Sequence, residues 1–141
     1  KIKKNCQIIV KIDGDGQMDP VYINDLIKPI IDKKAEFVKG NRFNSIETVL
    51  AMPKIRLFGN LGLSFLTKLS TGYWELFDPT NGYIAFSSSI IKKINLYKVD
   101  NRYFFETDLL FRCAIYNISI KEVMVKNGEA VEFGQPLFEI Y

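Results

Sequence analysis

The sequence predicts an α/β domain, a mixed sheet with flanking helices, and three observations carry the prediction. Ile8, Ile9 and Val10 form an apolar, β-branched run that reads as a buried strand. It breaks off in Asp13-Gly14-Asp15-Gly16, where the glycines permit a tight turn and two carboxylates are left at the strand's carboxyl end. Leu26, Ile27, Ile30 and Ile31 then recur at helical spacing, so strand, acidic loop and packing helix make half of a βαβ unit.

Each further element has its own signal. Asp19 reads as an N-cap and Pro20 as the first helical residue, while Lys33-Lys34 closes that helix. Residues 35 to 39 read as a short second strand running into Gly40-Asn41-Arg42-Phe43, and residues 44 to 52 as a loop or a short helical turn. From Pro53 to Gly72, Leu57, Phe58, Leu61, Phe65, Leu66 and Leu69 lie along a wide helical face, with Lys54, Arg56 and Lys68 at its ends. Two readings stand for it. It is a core helix, or it is an amphipathic helix over residues 53–71 lying at a membrane surface with its basic ends near anionic headgroups. Gly59 and Gly62 each cost about 1 kcal/mol against alanine inside a helix, which predicts close approach of another backbone or a ligand.

Residues 73 to 77 lead into the turn-rich loop Asp78-Pro79-Thr80-Asn81-Gly82-Tyr83, then a strand at 84 to 86. A short helix from Ser87 to Ile94 is capped by Ser87, Ser88 or Ser89. Tyr103, Phe104 and Phe105 feed Glu106 and Asp108 at the start of an apolar helix carrying Leu109, Leu110, Phe111, Ala114 and Ile115. The sequence divides into a main unit, residues 1–121, and a tail, residues 122–141. The tail reads as a β-hairpin turning at Asn127-Gly128 with a second bend at Gly134-Gln135-Pro136.

Composition narrows the chemistry. With 141 residues, 48% hydrophobic and 25% charged, the chain has the makings of one ordinary core. A net charge of +3 from scattered basic residues gives no nucleic-acid partner. The absence of histidine excludes Ser-His-Asp and Cys-His catalysis and any histidine-containing zinc site. Cys6 and Cys113 lie far apart beside apolar residues and read as reduced, buried thiols in a cytosolic setting. No run reaches the roughly 18 to 20 apolar residues that cross a bilayer.

What remains is carboxylate, Lys, Arg or metal chemistry. Asp13 and Asp15 sit where open α/β sheets place their ligands, and their hard oxygens suit Mg²⁺ or Mn²⁺ carrying a diphosphate. An acidic turn that caps the strand is the plainer reading. Arg42 offers a planar fork for a phosphate, or is a solvated surface arginine. Glu106 and Asp108 sit where a helix dipole favours their ionised forms. Arg112, one turn on, is an ion-pair partner of Asp108 or a phosphate ligand. The aromatic cluster beside Asn81-Gly82 is a sugar or lipid platform, or a loop pinned to the core by its rings.

In order and spacing, IIVKIDGDGQMDP, FVKGNRF, MPKIRLFGNLGLSFLTKLSTGYWELFDPTNGYIAF and YFFETDLLFR resemble the family 2 glycosyltransferases of the GT-A (Rossmann-like) fold, over about residues 5 to 120. The branch it is similar to transfers sugars to dolichyl or undecaprenyl phosphate. The resemblance implies a nucleotide-diphospho-sugar donor, a divalent cation (Mg²⁺ or Mn²⁺), and direct, inverting transfer to a polyprenyl phosphate or another membrane-associated acceptor, lipid-linked or a hydroxyl. Asp13 and Asp15 match its metal motif, with Asp15 also on the substrate side. Glu106 and Asp108 fall at its later acidic motif, the source of a catalytic base or acceptor contact. Gly40, Arg42, Asn81, Gly82 and Arg112 would line the substrate, at the cytoplasmic face of a membrane.

The family's first βα units, which hold the nucleotide base, would precede Lys1, and a charged acceptor-side segment would follow Ile120. Instead VKNGEAVEFGQPLFEI is similar to the last strands of a biotinyl carrier, although Met124-Val125-Lys126 is not the carrier's Met-Lys hairpin. Two competing expectations therefore stand beside a transferase. One is a catalytically silent, truncated or chimeric module, stable as an oligomer or with a partner; the other is a carrier fragment.

Overall fold

A computed structural model describes residues 6–16, 18–42, 54–100 and 104–125. Its strands are β1 (Ile8–Lys11), β2 (Phe37–Asn41), β3 (Ile84–Ser87) and β4 (Ile120–Met124). Its helices are α1 (Ile23–Ile31), α2 (Lys54–Thr71), α3 (Ser88–Lys93) and α4 (Phe105–Ile115), with short 3-10 turns at Pro20–Tyr22 and Leu96–Lys98.

The strands form one mixed sheet in the order β1-β3-β2-β4. β3 runs antiparallel to both neighbours, whereas β2 and β4 are parallel. β1, α1 and β2 thus make the expected strand-helix-strand passage, with β3 inserted between the two parallel strands.

Local chemistry sets the element ends. Asp19 accepts a hydrogen bond from the Val21 N–H and Pro20 opens the turn, so that helix start forms as the sequence predicts. α1 stops where Lys33 takes a left-handed conformation at φ 56°. α2 ends at Gly72, whose φ of 74° suits glycine and whose N–H reaches the Lys68 carbonyl at 2.8 Å. Ser87 caps α3 by accepting from the Ser89 N–H.

The second strand lies at 37–41, two residues later than the periodicity suggested, because Phe37 pairs with both Phe86 and Ile120. β4 carries the chain across the boundary expected between 121 and 122, and Val125 beyond it is buried in the core. Residues 122–125 therefore belong with the main sheet. The expected hairpin at 127–136 and the loop at 44–52 lie outside the described residues.

A core layer packs against each face of the sheet. On one side Leu26 of α1 meets Val38, Tyr83, Ala85 and Val125. On the other, Ile90 of α3 and Leu109, Leu110 and Cys113 of α4 cover Phe37, Ile84 and Phe86. The Phe37 and Phe86 rings stack with centroids 6.0 Å apart. Burial holds Cys113 as a thiol with its pKa pushed up to about 12, and both cysteines are free. No helix among the described residues is long and apolar enough to cross a membrane.

Candidate active site

The register aligns Lys11 of β1, Ile84 of β3, Lys39 of β2 and Glu122 of β4 in one row across the sheet. Residues paired in a row share a face, here the α4 side, near the carboxyl ends of the three parallel strands. The loop from Phe77 to Gly82 runs along this row and is pinned by its three charges in turn. Glu122 Oε1 accepts the Phe77 and Asp78 N–H groups at 2.7 and 2.8 Å. Lys39 Nζ donates to the Asn81 carbonyl, and Lys11 Nζ lies 3.4 Å from the Gly82 carbonyl.

The two lysines end in different environments. Lys39 is buried, and its pKa falls to about 8 because burial disfavours the ammonium more than Asp78, Glu106 and Glu122 favour it. Lys11 stays half open. Partial burial would lower its pKa, but the Asp13 and Glu106 carboxylates overcome that and raise it. Its Nζ is 2.5 Å from Asp13 Oδ1 and 3.2 Å from Glu106 Oε1, so one cation joins the two acidic segments.

Gly82 closes this corner. A Cβ there would run into Asp13 Oδ2 and fall 2.8 Å from Lys11 Nζ, so glycine lets the carboxylate and ammonium approach its backbone where a side chain would push them aside. Asp15, two residues beyond Asp13, is exposed at the turn. No group of three or more carboxylates or thiols suited to a metal occurs among the described residues.

The remaining candidates sit elsewhere or are already engaged. Arg42 gives its Nε and Nη2 to the fully buried Asp78 carboxylate at 2.8 and 3.0 Å, so its fork serves the loop and is not extended toward a phosphate. Asn81 is buried; it donates to the Gly40 carbonyl at 2.9 Å and accepts from the Tyr83 N–H at 3.0 Å. Gly40 is buried too, and a Cβ on it would meet Val125 at 2.9 Å. These two residues pack the loop onto β2 inside the molecule. Asp108 takes the Arg112 Nε at 3.2 Å, the ion pair one turn apart, and lines a furrow between α2 and α4. Of the later acidic pair, Glu106 alone joins the Lys11 corner.

Lys11, Lys39, Asp78 and Glu122 went unnoticed as site residues in the sequence. The available signal was a lysine standing inside the apolar strand Phe37-Val38-Lys39, where a charge must find partners. Glu122 becomes meaningful only through the parallel pairing of β2 with β4, which is long-range.

Known proteins resemble this chain over most of its length. It is 36% identical over 121 residues to the UDP-N-acetylglucosamine–dolichyl-phosphate N-acetylglucosaminyltransferase of Methanococcus voltae, covering 86% of this chain and 48% of that protein. It is 27% identical over 125 residues to the polyprenol monophosphomannose synthase of Mycolicibacterium smegmatis, covering 88% and 46%. An uncharacterized protein of Methanocaldococcus jannaschii is 30% identical over 120 residues, covering 85% and 49%. Two of the three carry a dolichyl or polyprenol phosphate sugar transfer in their names. The chain is thus similar to glycosyltransferases of the polyprenyl-phosphate kind, and it spans about half the length of the relatives it matches. No family model matches it.

Proposed function

We propose that this chain is the acceptor-side part of a glycosyltransferase that moves a sugar from a nucleotide-diphospho-sugar to a polyprenyl phosphate. The observation that carries the reading is the corner in which Lys11 holds Asp13 and Glu106 beside Gly82, at the strand ends where α/β sheets bind ligands. The two relatives named for such transfers, each aligned over more than four-fifths of this chain, support it.

Asp13 and Asp15 fit a Mg²⁺ or Mn²⁺ shared with a diphosphate, since such ions are held by one or two carboxylates together with substrate phosphates. Bound there, the cation would offset charge developing on the leaving diphosphate. Lys11 supplies a second positive charge at the same place, fixed before the donor arrives and therefore without reorganisation cost. Gly82 keeps the floor of the corner open. The pinned loop holds that glycine in position, and so Glu122, Lys39 and the Asp78–Arg42 pair act on the reaction through it.

A polyprenyl phosphate is already ionised, so its oxygen attacks the anomeric carbon directly and inverts it. A hydroxyl acceptor would need a base, and Glu106 is the better placed carboxylate, since it stands in the Lys11 corner whereas Asp108 lines the furrow between α2 and α4. The test is transfer of labelled sugar from UDP- and GDP-sugars to a short polyprenyl phosphate with Mn²⁺ present. Alanine at Asp13 should abolish transfer and leave the circular dichroism unchanged. Full transfer by the Asp13→Ala/Asp15→Ala double variant would refute the assignment.

A further inference from the structure

α2 is built inside out. Among its described side chains the buried ones are Ser64 and Thr67, 8% and 4% exposed, whereas Phe58, Leu61, Phe65, Leu66 and Leu69 are each more than half exposed. The inward hydroxyls are satisfied at little cost, because Thr67 donates to the Leu63 carbonyl at 2.8 Å and Ser64 reaches the Phe77 carbonyl at 3.4 Å. Gly59 and Gly62, expected to mark a close approach, have nothing within 4 Å, so within this fold the face they sit on is open. The reading of 53–71 as a core helix fails on these observations.

An apolar surface of this extent marks an interaction site. The furrow lined by Leu63, Leu66, Phe104 and Phe111 extends it onto α4. Its charge says what covers it. Residues 54–71 contain Lys54, Arg56 and Lys68 and no acidic residue. Just past the helix the exposed rings of Trp74 and Phe77 follow, with Lys68 Nζ 4.4 Å from the Phe77 centroid. Leucine and phenylalanine on one face, basic residues and no acidic ones in the same helix, and aromatic rings at the flank are what an anionic lipid interface selects. A second copy docked on this face would set one all-basic helix against another.

We infer that the outward face of α2 docks on an anionic lipid bilayer, lying in the interface without crossing it. The docking itself stands on the helix; its use, to bring the site to a lipid-borne acceptor, rests on the transfer reading above.

Trp74 is the only tryptophan in the chain and reports directly on the event. The chain is mixed with equimolar phosphatidylglycerol and phosphatidylcholine vesicles that contain no polyprenyl phosphate, so binding is read independently of any transfer. The expected result is co-flotation with the vesicles and a blue shift of the Trp74 emission, both weakened on pure phosphatidylcholine and at high salt. The double variant Phe65→Ser/Leu69→Ser should bind at least about tenfold more weakly with unchanged circular dichroism, since binding scales with buried apolar area. Absence of flotation by the unaltered chain, or equal flotation by the double variant, would overturn the inference. So would a dimer in sedimentation equilibrium that the double variant dissolves while neither protein binds vesicles. An Asp13→Ala variant that loses transfer and still floats separates the two proposals, because it removes the site and leaves the face.

Discussion

The loop from Asp78 to Gly82 and the outward face of α2 invert the usual rule in opposite senses. The loop is polar and buried: Asp78 and Asn81 are at most 1% exposed, yet no buried side-chain nitrogen or oxygen among the described residues lacks a hydrogen bond. The helix face is apolar and exposed, and nothing in the chain as described covers it. A buried polar segment persists because every group is paired within the fold. An exposed apolar face persists because its partner lies outside it. The first is a device for holding geometry, the second for meeting a surface.

The sharpest way to break this contrast is to unpair the loop. Asp78→Ala strips the Arg42 guanidinium and the Arg42 N–H of their shared partner, and removing one member of a buried ion pair costs about 3 to 5 kcal/mol. Urea unfolding should show a loss of that size, and a loss under 1 kcal/mol would mean that the pair is largely solvated.

Next in size is the buried lysine. Folded Lys39 releases its proton near pH 8, whereas an unfolded lysine holds it to about 10.5. Between those values the unfolded chain binds more protons, so stability gains from this group as pH rises through that window. The gain is on the order of 1 to 3 kcal/mol. The raised pKa of Lys11 works the other way and only above the ordinary lysine range. Stability of the unaltered chain should therefore climb from pH 8 to pH 10 relative to Lys39→Met, as measured by urea titration at each pH. Parallel curves would show that Lys39 is not buried as a cation.

The elements themselves were legible because their signals are local. The β-branched run of β1, the Asp19-Pro20 start, the Gly72 stop of α2 and the Ser87 cap are each set by a few adjacent residues. The site was half legible. The sequence marked Asp13, Gly82 and Glu106, which the fold gathers, but also Gly40, Arg42 and Asn81, which it spends on packing the loop. It gave no view of the row Lys11, Lys39 and Glu122, because a row across a sheet is defined by register between strands far apart in the chain. α2 admitted two readings for a different reason. Helical periodicity identifies an apolar face, but it cannot say whether that face points into the protein.

Smaller effects sharpen the comparison further. Gly82→Ala should cost about 1 to 2 kcal/mol, since the new methyl displaces flexible side-chain ends. Its transfer rate should nevertheless fall more than tenfold, and a normal rate would remove Gly82 from the site. At the far end, Phe65→Ser should change stability by no more than about 0.5 kcal/mol, because the ring is 57% exposed. A loss of several kcal/mol in thermal unfolding would place that ring inside the fold.

Lys11 gathers Asp13 and Glu106 into one corner, and the proposed role of that corner is to receive the donor's diphosphate. Calorimetric titration of UDP- and GDP-sugars, with and without Mn²⁺, into the unaltered chain and into Asp13→Ala tests it directly. A Mn²⁺-dependent heat for at least one donor, lost in the variant, is the expected result. No such heat in the unaltered chain, or the same heat in both proteins, would contradict it.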